Sequence, residues 1–239
     1  MNFIDIHCHI LPGMDDGPAG MEESLKMIGI AARDGISHIF ATPHIVDRVF
    51  PNSGPEIISS VKELGRHLPG GMELFYGADV RVTPDLIERM ESGDIPTLGG
   101  SGYALIEFPE SIVPVNVEGL IFNMRLRRIT PVITHPERHQ RLMHDFAALR
   151  RLRDGGAMCQ ITAMSITGDF GPEIETASLA MIRKGLADIV ASDAHNADTR
   201  PPVLSKAYEE VRRRFVDITA EKLFFENPGR ILKNVGLET

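Results

Sequence analysis

The sequence predicts a single α/β domain, most economically a barrel of parallel strands. Three observations carry that reading. Seven short apolar runs recur along the 239 residues, helical patterns separate them, and no Gly/Ser-rich linker or low-complexity tract interrupts the alternation. The runs are apolar throughout rather than alternating, as strands covered on both faces by helices must be. Strand–helix alternation then selects the α/β class. Barrels of roughly 200–250 residues commonly form one unit, so residues 1–239 are read as one domain.

The strand-like runs are Ile4–His7, His38–Pro43, Glu73–Gly77, Tyr103–Phe108, Pro131–His135, Met158–Thr162 and Asp188–Ser192. Helical patterns fall at Glu22–Asp34, Pro55–Leu68, Pro84–Glu91, Asn116–Arg127, Asp145–Asp154 and Pro172–Lys184. Later ones cover Pro202–Phe215, Ala220–Glu226 and Pro228–Val235. Pro55, Pro84 and Pro172 suit first-turn positions, and Gly35, Gly155 and Gly185 suit helix ends.

Composition narrows the function classes. A net charge of -8 argues against a nucleic-acid-binding surface. No apolar run approaches the roughly 20 residues of a membrane span, so membrane insertion is not expected. The N-terminus enters a strand directly, without a basic region and apolar stretch, so no signal peptide is expected. Cys8 and Cys159 lie far apart in apolar runs and read as buried thiols in a reducing cytoplasm.

In parallel α/β folds the loops after the strands converge, and catalytic groups collect there. The first run ends in His7-Cys8-His9 and continues to Asp15-Asp16. The second reaches His44, the third Asp79, the fourth Glu107, the fifth His135 and the seventh Asp193-Ala194-His195. The sixth ends in Gln160-Ile161-Thr162, with no such group. A lone strand-end His or Asp is usually a cap or turn residue. Six at the same end point to metal or acid–base chemistry.

Spacing favours metal. The period of two in a strand puts His7 and His9 on one face, where one cation about 2.0–2.2 Å away can accept both nitrogens. Five histidines and several carboxylates exceed one tetrahedral ion, so two or three cations sharing bridging carboxylates are expected. Such clusters suit phosphoryl chemistry. Nitrogen and oxygen donors without thiolate favour Mn, Fe or Zn in a reactive rather than structural site. Arg138 and Arg200 lie in loops on the same face, and their planar forks match phosphate oxygens.

Other polar residues are read more plainly. His38 is a packed or edge histidine, and His67 a helix-end residue facing water. His139 is at most an entrance residue, and His144 is peripheral. Asp15 could replace Asp16 as a ligand, and Glu137 faces away from the site. The Arg-rich stretches RLRR (125–128) and RRR (212–214) form solvated helix faces, and the methionines fill the core.

The stretches "DIHCHILPGMDDG", "ATPH", "GADV", "ALIEFP", "THPER" and "ASDAHNADTRPP" resemble, in order and spacing, the motifs of the PHP (polymerase and histidinol phosphatase) family. The resemblance runs from Ile4 to about Ile231, including Asn227-Pro228. It is greatest to the branch of manganese-dependent bacterial protein tyrosine phosphatases encoded with capsule and exopolysaccharide synthesis systems. It implies a distorted (β/α)7 TIM-like barrel holding three divalent ions. His7, His9 and Asp193 would hold the first, with Asp79 bridging to a second held by Glu107 and His135. Asp16, His44 and His195 would hold the third. Arg138 and Arg200 would contact phosphate, and a metal-bridging hydroxide would attack phosphorus directly. In keeping with that, neither Cys8 nor Cys159 begins a C-x5-R loop.

The implied substrate is a phosphotyrosine protein, namely a bacterial tyrosine kinase governing exopolysaccharide export. Two departures stand out. The bridging position, usually Glu in the family, is Asp79, whose shorter arm could shift the metals or lower the occupancy of one site. Cys8 stands where Ser is common and is read as packing. Two other functions are weighed: a small-molecule phosphoesterase such as a histidinol-phosphate phosphatase, and a non-catalytic metal-binding regulatory module. The "HPER" and "ASDAHNADTRPP" segments favour the tyrosine phosphatase over the first. Complete filling of the ligand positions favours it over the second. No general acid is assigned, since a phenolate of pKa about 10 leaves more readily than an aliphatic alkoxide.

Overall fold

Two of the seven apolar runs break, and the breaks bring His44 and Asp79, two of the nine candidate ligands, opposite each other. The computed structural model describes residues 2–234. Within them, β1 (Phe3–Cys8), β2 (Ile36–Ala41) and β4 (Glu73–Tyr76) form one sheet in the order β1-β2-β4. A second sheet runs β3 (His44–Ile45), β5 (Asp79–Arg81), β6 (Tyr103–Glu107), β7 (Thr130–Thr134), β8 (Met158–Thr162) and β9 (Ile189–Ala191). Every neighbouring pair is parallel.

The run expected at His38–Pro43 spans Ile36–Ala41 instead. Pro43 has no N–H to give a ladder, so pairing stops before it and resumes as β3 in the other sheet. The run expected at Glu73–Gly77 likewise stops at Tyr76 and resumes at Asp79. A Cβ on Gly77 would come within 2.7 Å of Leu98 Cδ2 and 3.0 Å of Thr42 Cγ2, so glycine lets these side chains close over the crossing. After the breaks, β3 and β5 pair with His44 opposite Asp79.

Beyond the ends of β9 and β1 the backbones meet. Asp193 N donates to His7 O and His9 N to Ala194 O, both at 2.8 Å. Below this, the buried Asp5 carboxylate accepts from Ser192 N at 2.9 Å and from the Ser192 hydroxyl.

The helices form largely where capping and periodicity place them. α1 (Met21–Asp34) ends on Gly35 at φ 87°, the left-handed conformation glycine adopts freely. α2 (Gly54–Gly65) starts with a Ser53/Glu56 capping box and Pro55. α3 (Leu86–Glu91) begins two residues after the expected Pro84, and α4 spans Val117–Leu126. α5 (Phe146–Asp154) is capped by Asp145, which accepts from Ala148 N at 2.9 Å. A short α6 (Ala163–Ile166) precedes α7 (Pro172–Arg183).

α8 (Ser205–Arg214) starts three residues later than expected, because the carboxylate of Asp34 captures Leu204 N at 2.7 Å and Ser205 N at 3.0 Å. α9 (Asp217–Glu221) continues through a π-helical turn at Lys222–Glu226 into α10 (Asn227–Lys233). The expected last residue of that helix, Val235, lies outside the described residues. Among the described residues no helix is long and apolar enough to cross a membrane.

Two apolar clusters organise the interior. The larger holds the helices against the sheets and contains both cysteines, buried and free. Burial raises both thiols well above their usual pKa, so they pack as neutral groups. The smaller gathers Ile4 and Ile6 of β1, Phe40 of β2, Leu105 of β6, Val132 of β7 and Ile189 and Ala191 of β9, with Ile231 of α10. Strand alternation puts Glu107 on the face of Leu105 and Thr134 on that of Val132, one step further along. The apolar cluster therefore underlies a polar layer. In β1 the register shifts between Asp5 and Cys8, a bulge that re-aims side chains. Past it, Cys8 packs in the larger cluster while His7 and His9 enter the polar layer.

Candidate metal centre

Nine predicted ligands converge in that polar layer. His7 Nε2 and His9 Nε2 lie 3.0 Å apart, and Asp193 Oδ1 is 3.5 Å from each. Asp79 Oδ2 faces three imidazoles: His44 Nδ1 at 3.4 Å, His7 Nε2 at 3.6 Å and His135 Nε2 at 3.9 Å. His135 Nε2 is also 3.8 Å from Glu107 Oε1. On the other side Asp16 Oδ1 is 3.4 Å from His195 Nε2 and 3.7 Å from His44 Nε2. Among the described residues, three sets of donor atoms are close enough to share an ion: His9, Asp16, His44 and His195; His7, His9 and Asp79; and His44, Asp79 and Glu107.

Backbone geometry helps aim the groups. His135 (φ 34°) and Asp193 (φ 52°) adopt left-handed conformations. Such conformations are uncommon outside glycine and enriched for His and Asp, and they turn each residue off its strand into the layer.

The far sides of His7 and His9 are also fixed. Gln160 Oε1 is 2.9 Å from His7 Nδ1, and Asp15 Oδ2 is 2.6 Å from His9 Nδ1. Both acceptors hold a proton on Nδ1 and point Nε2 inward, the usual arrangement behind a metal-bound histidine. Asp15 also accepts from His44 N and Gly17 N. It is therefore an orienting group, and of the two adjacent aspartates Asp16 is the one that reaches the cluster. Arg81 binds Glu107 Oε2 at 2.8 Å and leaves Oε1 toward His135.

Burial sets the electrostatics. It pushes His7 and His44 down to about 3 and His135 well below its usual value, so these three are neutral, as ligands must be. Burial opposes charge on His9 as well, but Asp15 and Asp193 outweigh it and raise His9 to about 10. Asp193 also resists burial: His7, His9, Arg200 and Arg138 hold its carboxyl well below the usual range. Asp79 has no comparable help. Burial and Glu107 push its pKa far up.

These residues fit divalent cations. Asp79 Oδ2 and His44 Nδ1 are buried with no hydrogen-bond partner, although each faces the other. Two donors each ~2.1 Å from one ion stand about 3.0 Å apart at a right angle and about 3.4 Å apart at a tetrahedral angle. The 3.4 Å between Asp79 Oδ2 and His44 Nδ1 matches shared coordination better than hydrogen bonding.

Arg138 and Arg200 both bind Asp193 Oδ2, at 2.5 and 2.8 Å. Their guanidinium carbons lie 4.8 and 5.7 Å from the centre of the Phe170 ring, which supports both. Both remain partly exposed at the edge of the cluster.

The sequence matches the family described as "Capsular polysaccharide synthesis, CpsB/CapC" over residues 3–233. Curated relatives agree. The chain is 33% identical over 97% of its length to a putative tyrosine-protein phosphatase CapC of Staphylococcus aureus, covering 89% of that protein. It is 36% identical over 82% of its length to the tyrosine-protein phosphatase YwqE of Bacillus subtilis, covering 79% of it. The chain belongs to the CpsB/CapC family. Among solved structures it is similar, with a TM-score of 0.93 and 33% identity, to one from a study of YwqE from Bacillus subtilis and CpsB from Streptococcus pneumoniae, described as unique metal-dependent tyrosine phosphatases. That match covers 98% of this chain and 95% of the other. A histidinol phosphate phosphatase of Lactococcus lactis matches with a TM-score of 0.57 at 12% identity, covering 89% of this chain and 93% of that one, a likeness of fold alone.

Several partners of this family member's cluster carry no signal in sequence. Gln160 and Phe170 look ordinary in isolation, and Arg81 is simply the residue two after Asp79. Glu137 turns away as expected and accepts from Thr162 N at 2.9 Å and Ser165 Oγ at 2.7 Å. His38 stacks on Phe75, while His67 and His144 are exposed. His139 lines a cavity beside Glu107.

Proposed function

We propose that this chain is a metal-dependent phosphotyrosine-protein phosphatase of a capsule or exopolysaccharide synthesis system, acting on a tyrosine kinase of that system. The observation that carries it is the convergence of five imidazoles and four carboxylates beside two arginines, in a family whose relatives are named tyrosine-protein phosphatases. The burial of both thiols agrees with a reaction that uses no cysteine nucleophile. It also agrees with the reducing cytoplasm as the protein's compartment. We further read residues 1–239 as one domain and the two sheets as a distorted (β/α)7 barrel. The backbone bonds between the ends of β9 and β1 support that closure.

His7, His9, Asp193, Asp79, Glu107, His135, Asp16, His44 and His195 would hold three divalent ions, Mn above Fe or Zn. When bound, such ions neutralise phosphate charge and activate water. The protein's own groups do the rest. Asp79 joins two of the donor sets, which suits a bridging ligand. Gln160 and Asp15 accept the Nδ1 protons of His7 and His9 and so turn both Nε2 atoms inward; the Nε2 proton that the raised pKa of His9 implies would be lost when a cation binds there. Arg138 and Arg200 offer paired N–H groups to phosphate oxygens, with Asp193 and Phe170 holding their planes.

The test is phosphate release from phosphotyrosine peptide, phosphoserine peptide and histidinol phosphate, with Mn and after chelation. The proposal expects hydrolysis of the phosphotyrosine peptide that stops on chelation. Turnover of histidinol phosphate without phosphotyrosine hydrolysis would replace it with the small-molecule reading. Metal binding without turnover of any of the three would favour the regulatory module.

A further inference from the structure

A cavity of about 360 Å³ opens beside the metal centre, and its lining is of two kinds. Glu107, His135 and Arg138 belong to the cluster and Arg81, Glu110, Thr134 and His139 are polar as well, whereas Phe108, Ile133, Pro136, Leu142 and Ile174 are apolar. A larger cavity of about 590 Å³ between α3 and α4 contains none of the candidate ligands. Position therefore decides between them, and volume does not.

We propose that the cavity beside Phe108 and Ile174 is the ring subsite. It receives the phenyl group of an aryl phosphate whose phosphate lies against the metal-ligand cluster and Arg138. The inference rests on the phosphatase reading and names how that site selects its substrate.

Size and rigidity both fit. A cavity of ~150 Å³ lined by aliphatic and aromatic side chains can hold a benzene ring, so this one has room for a tyrosyl ring and its entry path. Its wall is preformed. Phe108 is 5% exposed and meets His139 edge to face, with ring centres 6.3 Å apart. His139 Nδ1 accepts from the backbone N–H groups of Arg141 and Leu142, both at 3.2 Å, which fixes that ring.

Depth supplies the selection. Of the candidate ligands that line the cavity, Glu107 is only 9% exposed, so a phosphate beside it must be carried away from its peptide backbone. A tyrosyl side chain spans that depth and fills the apolar wall. A seryl side chain is shorter, and it leaves the half-buried Ile174 in contact with water.

The test uses non-hydrolysable probes on the manganese-loaded protein, with binding read by calorimetry. Phenylphosphonate is expected to bind at least about tenfold more tightly than methylphosphonate, about 1.4 kcal/mol. Ile174 sits half-buried in the first turn of α7, where a larger side chain fills the cavity without entering the core. Ile174→Trp is expected to erase the phenyl preference while leaving methylphosphonate affinity within about twofold. Ile174→Asp, which places a charge in the same wall, is expected to reduce the preference in the same way.

Equal binding of the two probes to the wild type would overturn the subsite. So would a preference that survives both substitutions. A phenyl preference in a protein that does not hydrolyse phosphotyrosine would defeat the phosphatase reading and leave the subsite standing. Hydrolysis without the preference would do the reverse.

Discussion

The smaller apolar cluster and the polar layer above it are built by the same strands, and they differ in what each residue does for the fold. In the lower layer Leu105 and Val132 are fully buried among Ile4, Ile6 and Phe40, and each contributes the transfer energy of its own side chain. One alternation further along, Glu107 and Thr134 are also buried but face imidazoles and carboxylates. There burial costs stability unless charge or coordination offsets it. Asp79, pushed far up in pKa, and His7, pushed down to about 3, show the cost directly. The lower layer holds the protein together, and the upper layer is held by it.

If the layers divide labour in this way, substitutions in them should separate activity from stability. Asp79→Asn removes a carboxyl whose pKa is pushed far up by burial and Glu107. It should cost several kcal/mol of transition-state stabilisation, roughly 10³-fold in turnover. The thermal midpoint of the metal-free protein should hold or rise. A fall of both together would show that Asp79 also supports the fold.

Leu105→Ala is the converse. Loss of a fully buried leucine should cost about 2–5 kcal/mol in denaturant unfolding. Turnover per folded molecule at low temperature should stay within about twofold. Loss of activity without loss of stability would erase the distinction between the layers.

Asp5 tests the boundary between them. Burial raises its carboxyl from the usual 3.8 to about 6, against the opposing hydrogen bonds from Ser192. The folded state therefore holds this proton more tightly than the unfolded state between those values. Stability falls as pH rises through that window, by an amount on the order of 3 kcal/mol, and the cost is complete above about pH 6. Asp5→Asn, with Ser192 Oγ accepting from the new amide, should remove this slope in the metal-free protein. An unchanged pH profile of unfolding in the variant would assign the slope to other groups.

The smallest expected effect is on the outer side of the imidazoles. Gln160→Ala should weaken metal affinity by about 10–100-fold while the fold is retained. Metal titrations of wild type and variant check it. Equal affinities would mean that Gln160 only packs.

These contrasts also explain what could be read from sequence. His7, His9, His44, Asp79, Glu107, His135, Asp193 and His195 were legible because a strand's end fixes where its next residues go, whatever the partners. The seven apolar runs were legible for the same local reason. Interruption of two of them was not: Pro43 marks where a ladder must stop but not that it resumes in another sheet, and Gly77 acts only through Leu98 and Thr42 in space. Asp15 and Asp16 differ by one residue, and only the reach of Asp15 to His9 Nδ1 separates their roles. Gln160 looked inert because its partner, His7, lies 153 residues away. Phe170 gains meaning only once two arginines from separate loops lie against one ring.

The central claim is that the polar layer holds divalent ions which enable phosphotyrosine hydrolysis. It is tested most directly by titrating chelator-treated protein with Mn while counting bound metal and released phosphate in the same samples. The account predicts no hydrolysis of phosphotyrosine peptide without metal. Activity should then rise with occupancy and reach its plateau at three ions per chain. Undiminished hydrolysis in the metal-free protein would contradict it, as would full occupancy without hydrolysis.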